Sequence, residues 1–135
     1  ALTKEQKALL CSVFLTAPLP ADCAGAVLLL TRDFVSEHLT DEATQRRMYK
    51  AVAEQYCAGG PLFVKAHPRD ASDYAALFPG AVVLDRTMPS EVLNFALPFR
   101  FARAVTVEST VLKAFEAADE KVSLTLDEAL ALPGV

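Results

Sequence analysis

Short apolar runs alternate along the chain with segments in which apolar residues recur at helical spacing. The apolar runs predict strands buried on both faces, at residues 26–30, 62–64, 81–84 and 104–107, with a fifth strand at 122–126. The helical segments predict one helix that begins at Thr3 and others at residues 40–57, 71–78, 89–97 and 109–118. Strands and helices in this order build a parallel sheet with helices on both faces. The predicted fold is therefore a Rossmann-like α/β domain, and residues 1–135 form a single domain.

Composition narrows the classes of function that such a domain can have. With 53% hydrophobic and 22% charged residues, the 135-residue chain has enough apolar surface for one core. Its formal net charge of −4 argues against a nucleic-acid binder. The cysteines Cys11, Cys23 and Cys57 form no C-x-x-C pair, which predicts reduced thiols in a cytoplasmic protein. Because the chain begins Ala-Leu-Thr without Met, we expect it to be part of a longer protein.

Polar and charged residues follow the predicted strands at one rim of the sheet. In sheets of this class, ligands bind beyond the carboxyl ends of the strands. The residues found there include, in chain order, Thr31, Arg32, Asp33, Lys65, His67, Arg69, Glu91, Glu108, Ser109 and Thr110. Their convergence predicts a ligand site at this rim.

The chemistry of these residues fits a nucleotide. Ser109 and Thr110 open a predicted helix, where hydroxyls, free N–H groups and the helix dipole favour an anion. His67 can donate a hydrogen bond or a proton to a phosphate oxygen, and Glu91 can accept hydrogen bonds from two ribose hydroxyls. The sequence contains neither G-x-G-x-x-G nor G-x-x-x-x-G-K-[ST], which disfavours a dinucleotide cofactor and a P-loop.

Each of these residues also has an ordinary structural interpretation. Ser109 and Thr110 are common N-cap residues, and Glu91 near a helix start complements the dipole. A histidine before proline at a strand end is often structural, and Arg32 can simply be a solvated loop charge. The pattern formed by all of them is more informative than any one.

Three motifs in order resemble those of a known enzyme family. They are Lys-x-His-Pro-Arg-Asp at 65–70, Pro-x-Glu-x-Leu at 89–93, and Ser-Thr at 109–110. Together, over about residues 28–115, they resemble the bacterial sialyltransferases of glycosyltransferase family 52. The resemblance implies one half of a GT-B glycosyltransferase, namely the C-terminal Rossmann-like half that binds the CMP-sialic acid donor.

The resemblance also implies roles for individual residues. His67 would be the catalytic histidine that contacts the donor phosphate and assists departure of CMP. The nucleotide-binding residues would be Lys65 beside the cytosine, Glu91 on the ribose, and Ser109 and Thr110 on the phosphate. Further contacts at the rim of the donor site would come from Thr31, Arg32 and Arg69. No cofactor and no metal ion are expected, because no cluster of metal-ligand residues is visible in the sequence, which is consistent with metal-independent glycosyl transfer.

Several expectations concern what lies outside the chain. The general base of the family belongs to an acidic pair followed by glycine in the N-terminal domain, and this sequence has no such triplet. We therefore expect an inverting transferase half that is inactive alone and needs that missing domain. The expected acceptor is a glycan, either a lipooligosaccharide or another oligosaccharide. That acceptor would place the enzyme in the cytoplasm or peripherally at the inner face of the bacterial membrane. A homodimer remains open, and residues 95–101 are either a contact surface or ordinary core.

Two alternatives stay open at the level of sequence. Enzymes that transfer glycerol phosphate from CDP-glycerol, and other GT-B polymer transferases, share the layout with a His-Pro element and downstream serines. A non-catalytic nucleotide-binding module on the same scaffold is the second alternative, since fold does not imply function.

Overall fold

The structure, a computed structural model, describes residues 3–5, 25–67, 73–84, 101–108 and 118–135. The strands of the described part are β1 (Val27–Leu30), β2 (Leu62–Lys65), β3 (Val82–Val83), β4 (Phe101–Val107) and β5 (Ala118–Leu124). Its helices are α1 (Glu42–Tyr56), α2 (Tyr74–Leu77) and α3 (Leu126–Leu130). Within this part, no helix is long and apolar enough to cross a membrane.

All five strands form one parallel sheet in the order β3-β2-β1-β4-β5. In the register of the central strands, Leu29 lies between Val64 and Val105. The parallel sheet with its helices confirms the predicted Rossmann-like α/β fold. The strand order reverses between β1 and β4, since β2 and β3 extend to one side and β4 and β5 to the other. Ligands of such folds bind at this reversal, beyond the carboxyl ends of the strands.

The central strands are apolar because both of their faces are covered. Every residue of β1 is buried, with Leu28 and Leu29 fully inaccessible. One face of the sheet, which includes Leu29, packs in a single cluster with Met48 and Val52 of α1. This burial explains why β1 is a continuous apolar run instead of an alternating pattern.

Helix α1 confirms the helix predicted at 40–57 and has a well-defined start. Asp41 is its N-cap, and the carboxylate of Asp41 accepts a hydrogen bond of 2.7 Å from the backbone N–H of Thr44. The helix ends where the N–H of Cys57 donates to the carbonyl of Ala53. Gly59 follows with a positive φ of 106°, a conformation that glycine adopts without strain.

The amino ends of β1 and β2 approach each other through two glycines. A Cβ atom built on Gly60 would lie 2.0 Å from the carbonyl oxygen of Gly25. Next to this contact, the N–H of Val27 donates to the carbonyl of Pro61 at 2.9 Å. The close approach at this end of the sheet therefore requires glycine at position 60.

The structure corrects the element boundaries in the last third of the chain. Strand β4 begins at Phe101, three residues before the predicted start, and Phe101 is buried. Strand β5 begins at Ala118, which was predicted as helix, and ends before Leu126, which was predicted as strand. The reason is that β5 is an edge strand whose residues 119–121 are exposed, so it lacks the apolar run of a central strand.

Helix α3 is an element that the hydrophobic pattern did not predict. The hydroxyl of Thr125 accepts from the N–H of Glu128 at 3.1 Å, and the carboxylate of Glu128 accepts from the N–H of Thr125 at 3.0 Å. This reciprocal pair is a capping box. The Thr-x-x-Glu spacing was present in the sequence and is the signal that could have revealed the helix.

Several predicted elements lie partly or wholly outside the described residues. They are the helix that begins at Thr3 beyond residue 5, the start of the helix at 71–78, the helix at 89–97 and residues 109–117 of the next. The stretch at 95–100, predicted as contact surface or core, also lies outside them.

Candidate functional site

The carboxyl ends of β1 and β2 are joined through Thr31 and His67. The N–H of Thr31 donates to the carbonyl of Lys65 at 3.1 Å, which continues the strand pairing by one residue. The hydroxyl of Thr31, a residue only 8% exposed, accepts a hydrogen bond of 3.2 Å from the N–H of His67. Two of the predicted site residues are thus in direct contact at the expected rim.

The loop that follows β1 is held by hydrogen bonds to side chains of helix α1. The hydroxyl of Tyr49 accepts from the N–H of Arg32 at 2.8 Å and donates to the carbonyl of the same residue at 3.1 Å. The side-chain oxygen of Gln45 accepts from the N–H of Phe34 at 2.8 Å. Because Gln45 and Tyr49 are four residues apart, they lie on one face of the helix. Two successive turns of α1 therefore fix the backbone of this loop.

The side chain of Arg32 lies where the strand order reverses. Its Nη2 donates to both carboxylate oxygens of Glu37 at 2.9 Å, and its Nη1 donates to the carbonyl of Glu108, directly after β4. The guanidinium carbon lies 5.5 Å from the ring centroid of Phe34, within the range of a cation–π contact. Arg32 therefore connects the loops that follow β1 and β4.

Glu108, which accepts a hydrogen bond from Arg32, also connects the end of β4 to helix α3. It has a positive φ of 48°, and its N–H donates to the carbonyl of Leu124 at 2.7 Å. Its carboxylate accepts from the N–H of Leu126, the first residue of α3, at 2.8 Å. The end of β4, the end of β5 and the start of α3 are thus held together by one residue.

Asp33 is a carboxylate within this loop whose charged form is stabilised. Its Oδ1 accepts from the N–H of Ser36 at 3.2 Å. Burial acts to raise the pKa of Asp33, but hydrogen bonds from Ser36 and Val35 and the positive charge of His67 outweigh it and hold the pKa below its ordinary value. Asp33 lies two residues after Thr31, which accepts a hydrogen bond from the N–H of His67, so an acidic and a basic residue lie at the same rim.

Lys65 and His67 differ in their access to solvent. Lys65 is 4% exposed, and its ammonium group donates to the carbonyl of Ala66 at 2.8 Å. His67 is exposed. Lys65 ends β2 and His67 follows it, as predicted, but Lys65 is buried and His67 is exposed.

The structure brings together four of the predicted site residues at one rim, which are Thr31, Arg32, Lys65 and His67. The other four, Arg69, Glu91, Ser109 and Thr110, lie outside the described residues. Sequence reasoning missed Glu37, Gln45 and Tyr49, which hold Arg32 and its loop. The spacing of Gln45 and Tyr49 on one helical face was visible, but their partners in the loop were not.

Comparison with known proteins supplies the family. The family model of glycosyltransferase family 52 matches residues 1–126. The chain belongs to glycosyltransferase family 52. An uncharacterized protein of Haemophilus influenzae is 37% identical to this family 52 chain over 95 residues. The match covers 70% of this chain and 30% of that relative, so the chain spans less than a third of the length of the relative. No solved structure matches the chain.

Proposed function

We propose that this chain is the donor-binding half of a glycosyltransferase that transfers sialic acid from CMP-sialic acid to a glycan acceptor. Membership of family 52 supports glycosyl transfer, with a nucleotide-sugar donor and a glycan acceptor as the general substrate classes. The cytidine nucleotide and the sialic acid are the finer part of the proposal. They are supported by the ordered motifs at 65–70, 89–93 and 109–110.

The observation that carries the proposal is the hydrogen bond between Thr31 and His67. It fixes the backbone of the predicted catalytic histidine against the end of β1, next to the place where ligands of this fold class bind. The side chain of His67 remains exposed there. A donor phosphate at this rim would thus meet a histidine whose backbone is already held in place.

The proposed reaction is an inverting displacement. An acceptor hydroxyl attacks the anomeric carbon, the bond from that carbon to the phosphate oxygen breaks, and CMP leaves with the electron pair. The acceptor proton passes to a carboxylate that we assign to a part of the enzyme outside this chain. His67, with the hydroxyls of Ser109 and Thr110 at the start of the helix predicted from the sequence, would stabilise the charge that develops on the leaving phosphate.

Calorimetric titration with CMP, with CDP and UMP for comparison, tests the proposal. We expect binding of CMP that weakens about tenfold or more in His67→Asn, because a hydrogen bond to a charged group contributes about 1.5–3 kcal/mol. His38→Asn is a matched control, since His38 is exposed and lies outside the rim contacts described above. Asparagine suits that position because it tolerates the φ of 58° found at His38.

Two results would contradict the proposal. One is a folded chain that shows no preference for cytidine nucleotides. The other is unchanged CMP binding in His67→Asn. Competition between CMP-sialic acid and CDP-glycerol then identifies the transferred group, and transfer assays on the chain alone are expected to give no product.

A further inference from the structure

We infer that Arg32 binds the carboxylate of the donor sugar and that Glu37 occupies the Arg32 guanidinium when no donor is present. The inference rests on the proposed function, because it names which part of a sialic acid donor this rim recognises. In this inference Arg32 makes the site specific for an acidic sugar. Glu37 competes with the carboxylate of that sugar for the Arg32 guanidinium.

The first argument is the way in which Glu37 engages Arg32. Both carboxylate oxygens of Glu37 lie 2.9 Å from the Nη2 of Arg32. A carboxylate is the preferred partner of a guanidinium group, because its two oxygens can both accept hydrogen bonds from it. The structure therefore already contains a carboxylate seated on Arg32, and this internal group occupies the position that a ligand carboxylate would take.

The second argument is location. Arg32 follows β1 and reaches Glu108 after β4, so it spans the reversal in strand order at which ligands of this fold class bind. His67, the proposed phosphate contact, lies on the neighbouring strand end and is joined to Thr31, the residue before Arg32. The transferred sugar is attached to the phosphate, so its carboxylate would lie near this guanidinium.

The third argument is that the backbone of Arg32 is fixed while its ion pair can open. The hydroxyl of Tyr49 holds both the N–H and the carbonyl of Arg32. The side chains of Arg32 and Glu37 are 37% and 41% exposed, and an ion pair of such exposure stabilises a protein little. A ligand carboxylate can therefore replace Glu37 without moving the loop.

A second ion pair in the chain has similar chemistry but a different place. The guanidinium of Arg103 donates to one carboxylate oxygen of Glu120 at 3.0 and 3.2 Å and to the carbonyl of Tyr56 at 2.7 Å. Arg103 is paired in register with Val27, the first residue of β1, far from the carboxyl ends of the strands. Glu120→Gln is therefore a matched control for Glu37→Gln.

The test compares the affinities of CMP-sialic acid and CMP for four proteins: the unchanged chain, Arg32→Lys, Glu37→Gln and Glu120→Gln. We expect Arg32→Lys to weaken CMP-sialic acid about tenfold and to leave CMP unchanged, because lysine has one nitrogen and cannot bind the Glu108 carbonyl and a carboxylate through two separate nitrogens as Arg32 does. Glu37→Gln should strengthen CMP-sialic acid by up to about fivefold, the range of an exposed ion pair, again without effect on CMP. Glu120→Gln should change neither affinity.

Each other result overturns the inference in a recognisable way. Equal weakening of both ligands in Arg32→Lys would mean that Arg32 contacts the phosphate instead of the sugar. Unchanged donor affinity in Glu37→Gln would mean that the ion pair is only a surface contact, and this variant leaves Arg32 in place even if Arg32→Lys disturbs folding. Absence of binding by both nucleotides to the unchanged chain would overturn the proposed function itself.

Discussion

The hydroxyl of Tyr49 is hydrogen-bonded to both backbone groups of Arg32, as acceptor at 2.8 Å and as donor at 3.1 Å. Tyr49 is fully buried in the core, where its ring packs edge-to-face against Tyr74 at a centroid distance of 6.0 Å. One side chain thus belongs to the hydrophobic core at its ring and to the candidate site at its hydroxyl. The stability of the fold and the geometry of the loop after β1 are consequently linked.

Removal of this hydroxyl should cost both stability and ligand affinity. Tyr49→Phe keeps the ring but leaves two backbone groups of Arg32 without their partner, which we expect to lower the free energy of unfolding by about 1–3 kcal/mol. Urea denaturation measures that loss, and calorimetry should show weaker CMP-sialic acid binding because Arg32 is less well held. Tyr56→Phe, at a half-buried position of the same helix, is the control. Equal stability of the Tyr49 and Tyr56 variants would contradict the assigned role.

The link between Thr31 and His67 can be tested with two substitutions at one position. Thr31→Val has a similar shape but cannot accept the hydrogen bond from the N–H of His67. We expect CMP binding to weaken by up to about tenfold, since a hydrogen bond contributes about 0.5–1.5 kcal/mol. Thr31→Ser keeps the hydroxyl and should restore most of the affinity. Weak binding by both variants would indicate a general packing defect instead.

The central strands could be predicted from the sequence because burial on both faces leaves a direct trace. Leu28 and Leu29 had to be apolar, and the run in which they lie marks β1. Strand β5 has its exposed residues at 119–121 and leaves no such trace, so its limits were misplaced. Apolar runs report burial, and an edge strand is only partly buried.

The candidate site was only partly predictable for a different reason. Residues after strand ends can be read from the chain, and Thr31, Arg32, Lys65 and His67 were identified in this way. The contact between Arg32 and Glu108 joins residues 76 positions apart and depends on the strand order, which no local pattern gives. Position at the rim was therefore readable, but the hydrogen-bond partners were not.

The contact between the two glycines predicts a large loss of stability on substitution. In Gly60→Ala the new Cβ would lie 2.0 Å from the carbonyl oxygen of Gly25, so the amino ends of β1 and β2 would have to separate. We expect the free energy of unfolding to fall by about 3 kcal/mol, at the upper end for overpacking.

Gly80→Ala is a useful comparison, because Gly80 has a positive φ of 87° but no atom within 4 Å of the added Cβ. Its loss should be about 1–2 kcal/mol, from backbone conformation alone. Thermal or urea unfolding should show a larger loss of stability in Gly60→Ala than in Gly80→Ala. Equal losses would show that the close contact between Gly25 and Gly60 does not determine the cost of the substitution.

The lowered pKa of Asp33 predicts that the folded protein loses stability in acid. Its pKa in the folded protein lies below the ordinary value of 3.8, so the unfolded chain takes up this proton more readily than the folded one. The stabilisation from the charged carboxylate is therefore fully present above the unfolded pKa and is lost as the pH falls through the lower, folded pKa. Asp33→Asn should lower stability at pH 7 and narrow the gap to the unchanged chain as the solution is made more acidic than about pH 4.

Unfolding free energies measured from pH 7 to pH 2.5 check this expectation. The exposed carboxylate Glu54 on helix α1 provides the comparison variant Glu54→Gln, which removes one carboxylate outside the loop that follows β1. Because the charge of His67 contributes to the low pKa of Asp33, the effect of Asp33→Asn should shrink in a His67→Asn background. Strict additivity of the two substitutions would mean that the two groups do not interact. In that case the low pKa of Asp33 would come from its hydrogen bonds and not from His67.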